Sequence, residues 1–211
     1  EDLETVLATL PETEQYVLGM KAGEILRKIH SVSIIPPSSD WSSAYGGKID
    51  HYIQSYKNCA IKFEGDDLLI QYIDANRHLL KNRPQCLTHG DYHVGNLIIS
   101  EGNVLSVIDF NRFKMVDPYH AFGALVFCVP ISSHFATGQI RGYFEGEPPA
   151  EFWSLLALYM AAIAVNALPW SIPYGQSEID FAFKQISNIL DWFDNMQNPI
   201  PAWYMKDLYK N

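Results

Sequence analysis

Basic residues are scarce in this chain: 15 Lys and Arg stand against 24 Asp and Glu, for a formal charge of −9 at neutral pH. A surface of that sign repels phosphodiester backbones and anionic headgroups, which argues against nucleic acid or membrane partners and favours a cationic ligand. Cysteine is scarcer still. Cys59, Cys86 and Cys128 stand far apart without a Cys-x-x-Cys pair, which argues against a zinc site or a disulfide framework and points to a reducing, cytoplasmic setting. Long hydrophobic runs are short of membrane length: Leu155 to Val165 is bounded by Asn166 and Pro169 and reads as a buried helix. No basic-then-apolar start marks a signal peptide. There is no Gly-x-Gly-x-x-Gly, and no series of β-like runs precedes Pro11.

What is present is enough apolar surface for a core. With 211 residues, 48% of them apolar and 13% aromatic, the chain can form a single globular domain over residues 1–211. Pro11-Glu12-Thr13-Glu14 opens a helix, with Thr9 or Thr13 as cap, and Tyr16, Leu18, Met20, Ala22, Ile25, Leu26 and Ile29 form its apolar face up to His30-Ser31. Ile34 to Trp41 holds two prolines and reads as a loop, continued irregularly through Ser42 to Gly47 before a helix near Ile49 to Lys57. Trp41 and Tyr45 are expected to pin that loop to the core, with a pocket wall as the alternative. Leu68, Leu69, Tyr72, Ile73, Leu79 and Leu80 give a further helical face. Leu97 to Ser100 and Val104 to Ile108, separated by Glu101-Gly102-Asn103, predict a β-hairpin. Asp117-Pro118 starts a helix toward Val129, and Phe152 to Leu168 and Phe181 to Met196 supply two late helices, with Pro169 to Ser177 between them. The fold class is α+β and mainly α-helical.

The chemistry concentrates in Leu87-Thr88-His89-Gly90-Asp91-Tyr92-His93-Val94-Gly95-Asn96, followed by Ile108-Asp109-Phe110. Singly, Asp91 reads as a turn residue, Asn96 as a cap and Asp109 as a strand-end carboxylate. Together they supply what phosphoryl transfer needs. One carboxylate accepts the proton of an attacking hydroxyl, and an amide oxygen and a second carboxylate hold Mg²⁺ against nucleotide phosphates. The hairpin starts after Asn96 and ends at Asp109, so it returns both ligand candidates to one sheet edge.

These residues resemble the aminoglycoside phosphotransferase and choline kinase superfamily, whose members carry His-Gly-Asp-x-His-x-Gly-Asn followed by Ile-Asp-Phe or Ile-Asp-Trp in a kinase-like fold. The resemblance extends to Asp117-Pro118 and the helical pattern from Tyr16 to Ser31. It implies a protein-kinase-like C-terminal lobe with the metal site on the hairpin, ATP or GTP as co-substrate, and a hydroxyl-bearing small molecule as acceptor. Asp91 is then the catalytic base, Asn96 and Asp109 bind the cofactor Mg²⁺ and its nucleotide, and His89 braces the catalytic loop. His93 reads as structural or phosphate-adjacent. The family often carries a bracing Asp four residues after the equivalent of Asp117, where this chain has Ala121 beside His120.

By the same resemblance, residues 1–10 correspond to a remnant of the inter-lobe hinge, and the nucleotide lobe is expected outside this chain, packing on it. The late helices carry the acceptor wall. Glu178 and Asp180 beside Trp170 and Tyr174 are its candidate contacts. An aminoglycoside-like acceptor leads, while choline, ethanolamine, homoserine, a sugar or a macrolide also falls within the superfamily. A non-catalytic binding module that retains the motif is the reading from a different class.

Overall fold

Four glycines at helical spacing let two helices cross with their backbones in contact. In the computed structural model, which describes residues 1–33, 39–102 and 104–207, α1 (Leu3–Val6) leads through a 3₁₀ turn into α2 (Glu12–His30). Gly19 and Gly23 of α2 face Gly138 and Gly142 of α6 (Ser133–Phe144). A β-carbon at any of the four would stand 2.0–2.2 Å from a backbone oxygen of the other helix. Glycine is therefore a steric requirement at this crossing. The buried stripe of α2 is Gln15, Leu18, Gly19, Ala22, Gly23 and Leu26, so the expected apolar face is right in its centre, while Tyr16, Met20, Ile25 and Ile29 sit at its half-buried margins. Neither Thr9 nor Thr13 caps the helix. Pro11 takes the cap position without a side-chain bond, because its fixed φ already suits a helix start.

Two compact units partition the chain: Glu1–Pro36 with Gln85–Ala150 and Trp203–Asn211, and Pro37–Pro84 with Glu151–Ala202. In the first, β1 (Cys86–Thr88) pairs antiparallel with β4 (Lys114–Val116), and β2 (Leu97–Ser100) pairs antiparallel with β3 (Val104–Val107). Leu97 stands opposite Val107 and Ser100 opposite Val104, which is the expected hairpin. Its turn residue Asn103 lies outside the described residues. Glu1 and Asp2 extend this small sheet, since the Ile99 backbone exchanges hydrogen bonds with Glu1 at 2.9 Å. After β4, Asp117 caps a 3₁₀ stretch over Pro118–Ala124 by accepting from the Tyr119 N–H at 2.8 Å. It continues as α5 (Leu125–Cys128). The expected cap and buried face of Phe122, Leu125, Val126 and Val129 are present, but most of the segment is 3₁₀ rather than α.

The second unit opens with α3 (Trp41–Asn58), which overturns the irregular reading of Ser42 to Gly47. Asp40 accepts from the Ser42 and Ser43 N–H groups and so starts the helix before its two glycines are reached. Trp41 and Tyr45 are core residues: they stack at 4.9 Å, and Trp41 Nε1 donates to the Tyr159 hydroxyl at 3.0 Å. The loop expected over Ile34 to Ser38 lies outside the described residues. A further helix, α4 (Asp66–Asn76), then runs into a 3₁₀ turn at Arg77–Leu80.

Two long helices complete this unit. α7 (Ala150–Ser171) contains Pro169 rather than ending before it, because only its last two residues follow the proline and Leu168 and Ser171 on either side are fully buried. With the turn that follows, Ala150–Tyr174 is long and apolar enough to cross a membrane by length and composition, longer than the sequence pattern indicates, and 72% of its most apolar window is buried inside the protein. That burial is what a core helix shows. α8 (Gln176–Trp192) is amphipathic, burying Ile179, Ala182, Ile186 and Ile189.

Candidate active site

Strand β1 delivers the chain into the loop His89–Asn96, and β4 takes it up again after Ile108–Phe113. Pairing of β1 with β4 thus fixes both ends of the segment that carries Asp91, Asn96 and Asp109. The two loops touch at Gly90, whose φ is +87° and whose β-carbon would fall 1.9 Å from the Arg112 carbonyl oxygen. Only glycine permits that approach.

His89 ties the loops from inside. It is fully buried, its Nδ1 accepts from the Asp91 N–H at 3.3 Å, and its Nε2 meets the Ile108 carbonyl at 2.8 Å. With Nδ1 accepting, Nε2 is the nitrogen that donates, and it donates to the residue before Asp109. Phe110 packs across it at 4.5 Å and Tyr92 at 5.9 Å. Tyr92, buried, donates its hydroxyl to the Ala22 carbonyl at 2.7 Å and anchors the loop on α2. Burial pushes its own ionisation far above the ordinary phenol range.

Asn96 forms the second knot. Its Nδ2 donates to the Asp91 carbonyl at 2.7 Å, while its own carbonyl accepts from the Ile108 N–H at 3.1 Å. The amide nitrogen is therefore committed, and Oδ1 has no donor among the described residues. Asp109 follows in the left-handed region (φ 63°, ψ 53°), exposed, with no side-chain cap bond. A non-glycine residue held there is strained and is maintained by the tied backbone on either side. One free amide oxygen and one free carboxylate suit Mg²⁺, which takes one or two protein oxygens and completes its octahedron with phosphate and water. Among the described residues no group of three or more His, Cys, Asp or Glu is placed to hold a metal ion by itself.

The Asp91 carboxylate is one-quarter exposed and has two neighbours: Arg112 Nη1 at 3.2 Å from Oδ2 and His93 Nε2 at 3.5 Å from Oδ1. His93 accepts from the Gly95 N–H at Nδ1 and packs on Phe127, which makes it a loop brace. Sequence inspection missed Arg112 and Tyr92. The Asp-Phe-Asn-Arg spacing carries no signal for which carboxylate the guanidinium meets, and Tyr92 is one of 12 tyrosines. Burial, then the charge of Asp117, pushes the Cys86 thiol up to about 12, and burial pushes Cys128 equally far. Neither is a thiolate at neutral pH.

The other four candidates lie in the second unit. Trp170 and Tyr174 are exposed with ring centroids 4.8 Å apart, and Asp180 accepts from Gln176 Nε2 at 2.7 Å. Glu178 is half-buried in the first turn of α8.

Comparison with known proteins follows the same lines. The sequence profile of the Phosphotransferase enzyme family matches residues 1–153. No curated protein sequence matches the chain. Among solved structures, a choline/ethanolamine kinase family protein from Mesorhizobium loti superposes with a TM-score of 0.69 at 18% identity, covering 94% of this chain and 68% of its own. A GDP complex of a mutant aminoglycoside 2'-phosphotransferase-IIIa gives a TM-score of 0.72 at 14% identity, with 94% and 68% coverage. A thermostable mutant of aminoglycoside phosphotransferase APH(4)-Ia, in a ternary complex with ADP and hygromycin B, gives 0.63 at 19% identity, with 87% and 67% coverage. The fold is thus kinase-like, mostly helical with small antiparallel sheets.

Proposed function

The chain belongs to the phosphotransferase enzyme family, and from that premise we propose that it supplies the catalytic lobe for transfer of the γ-phosphoryl group of ATP or GTP to a hydroxyl of a small, cationic acceptor of aminoglycoside type. The observation that carries this reading is the double knot at Asn96. It links the Asp91 backbone to Asn96 Nδ2 and the Ile108 backbone to the Asn96 carbonyl, so base and ligand candidates share one rigid turn.

Asp91 is the base. It orients the acceptor hydroxyl and takes its proton while Arg112 steadies the second carboxylate oxygen. Asn96 Oδ1 and the Asp109 carboxylate would hold Mg²⁺, which would supply positive charge against the negative charge of the nucleotide phosphates. His89 acts through the backbone, holding the two loops at fixed separation, and takes no part in proton transfer. Solved neighbours bound to GDP, or to ADP with hygromycin B, support a nucleotide and a small-molecule acceptor. Glu178 and Asp180, which follow Trp170 and Tyr174 along the chain, are the proposed amine contacts. Three free cysteines support a reducing, cytoplasmic setting.

We read residues 1–211 as one kinase-like lobe, with residues 1–10 as the hinge region, and place the phosphate-covering loop and its Lys in a lobe that packs on this one. The apolar exposure of Val104, Ile108, Phe110 and Phe113 supports that division. The test is thermal-shift binding of Mg·ATP and Mg·GTP to the 211-residue chain and to a chain including residues that precede Glu1, followed by turnover with a panel of hydroxylated amines. Nucleotide stabilisation in the longer chain with phosphorylation of an amine is the expected result. Folded proteins that bind neither nucleotide would overturn it in favour of a non-catalytic module.

A further inference from the structure

A groove of about 660 Å³ opens in the second unit between the start of α4 and one stripe of α8. Its floor is apolar: Phe63, Ile186 and Leu190 are buried beneath it, and Phe183, which recurs three residues before Ile186 on the same stripe, stays 37% exposed at its lip. Every charged residue of the lining, Glu64, Asp67 and Asp191, is acidic and exposed. None of these carboxylates has a hydrogen bond or ion pair among the described residues. The nearby groups that do are turned to other tasks. Asp66 accepts from the Tyr56 hydroxyl at 2.7 Å, and Lys62 donates to the Tyr56 and Lys57 carbonyls while lying over the Tyr56 ring.

An apolar concavity with an anionic rim is complementary to a molecule that is apolar at one end and cationic at the other. We infer that this groove binds an amphiphilic organic cation, an ammonium group on an aryl or alkyl body, with the body on Phe63, Ile186 and Leu190 and the charge between Asp67 and Asp191 over the face of Phe183. A second copy of the chain fits poorly, since each carries a net charge of −9. None of Glu178, Asp180, Trp170 or Tyr174 lines the groove, so the site goes beyond the proposed acceptor contacts and does not depend on phosphoryl transfer.

The test titrates the 211-residue chain, without nucleotide, with 4-phenylbutylammonium and with uncharged 4-phenylbutanol, read by calorimetry and by NMR shifts. The expected result is binding of the ammonium at least about tenfold tighter than the alcohol at low salt, narrowing as salt rises, with shifts centred on Phe63, Phe183 and Leu190. The Asp67→Asn/Asp191→Asn pair removes that preference with an unchanged thermal melt, and Phe183→Ala weakens both ligands. Should the double variant melt early, Glu64→Gln alone, a single exposed change, is expected to reduce ammonium binding about threefold. Equal affinity for the two ligands, shifts elsewhere, or a preference that survives loss of the carboxylates overturns the inference. So does a dimer that the amine dissociates, which assigns the groove to a second copy.

Discussion

At the scale of single residues, the candidate chemistry depends on how few freedoms remain at Asp91, Asn96 and Asp109. His89 and Asn96 spend their own hydrogen bonds on backbone atoms of the same two loops, leaving the Asn96 amide oxygen and the Asp109 carboxylate without a donor among the described residues. Replacing Asp91 by Asn keeps the shape and removes the base, so turnover in the nucleotide-competent protein is expected to fall by about 10²- to 10⁴-fold. The Michaelis constant for the acceptor should change little, which steady-state kinetics will read. Unchanged turnover would remove Asp91 from the mechanism. Arg112 meets Asp91 through an exposed side chain, 70% accessible, where ion pairs contribute little. Arg112→Ala should leave the melting temperature unchanged and lower turnover, and a loss of stability instead would make it a structural pair. That Asp91, Asn96 and Asp109 lie on one loop and hairpin was legible from spacing, because short aliphatic runs on either side of Glu101-Gly102-Asn103 form a hairpin by local pattern alone. Tyr92 and Arg112 were not, because their partners Ala22 and Asp91 are set by tertiary packing.

At the scale of elements, the α2–α6 crossing and the start of α3 show local signals of opposite legibility. Gly138→Ala places a methyl 2.2 Å from the Tyr16 carbonyl oxygen, so the helices must separate. A loss of about 1–3 kcal/mol is expected in chemical denaturation. Gly46→Ala in α3 meets nothing within 4 Å and is expected to stabilise by about 0.5–1 kcal/mol through helix propensity. Equal effects at both positions would deny the close crossing. The Gly-x-x-x-Gly spacing of Gly19/Gly23 and Gly138/Gly142 was visible in the sequence. Only the structure pairs the two. α3 was misread because Ser42, Ser43, Gly46 and Gly47 are weak helix formers, whereas the Asp40 cap and the burial of Trp41, Tyr45, Ile49 and Ile53 along one stripe outweigh them.

At the scale of the whole molecule, protonation is coupled to folding through His30. It donates or accepts at Nδ1 with the Tyr143 hydroxyl at 3.0 Å, its Nε2 is buried without a partner, and desolvation lowers its pKa from 6.5 to about 4. Below pH 6.5 the unfolded chain takes up a proton that the folded chain refuses. Stability should therefore be level above pH 6.5 and fall by about 2–3 kcal/mol as pH drops toward 4. Urea midpoints across that range will measure the fall, and His30→Gln should flatten it. A slope that persists in the variant would assign the effect to carboxylates instead. The apolar exposure at Val104, Ile108, Phe110 and Phe113 predicts association of the 211-residue chain that grows with concentration in light scattering. Scattering that stays constant would count against a lobe that normally covers this face.

Residue pattern was enough for the local frame: a helix-rich chain, the hairpin between Asn96 and Asp109, and the placing of Asp91, Asn96 and Asp109 at its ends. These rest on periodicity and on turn residues close together in the chain. The tertiary structure alone decided which nitrogen of His89 carries the proton, which amide atom of Asn96 is left for a ligand, and how α2 and α6 meet. It also decided that Pro169 lies within α7. Each of these depends on atoms far apart in the chain, where partner identity and burial, rather than spacing, set the energy.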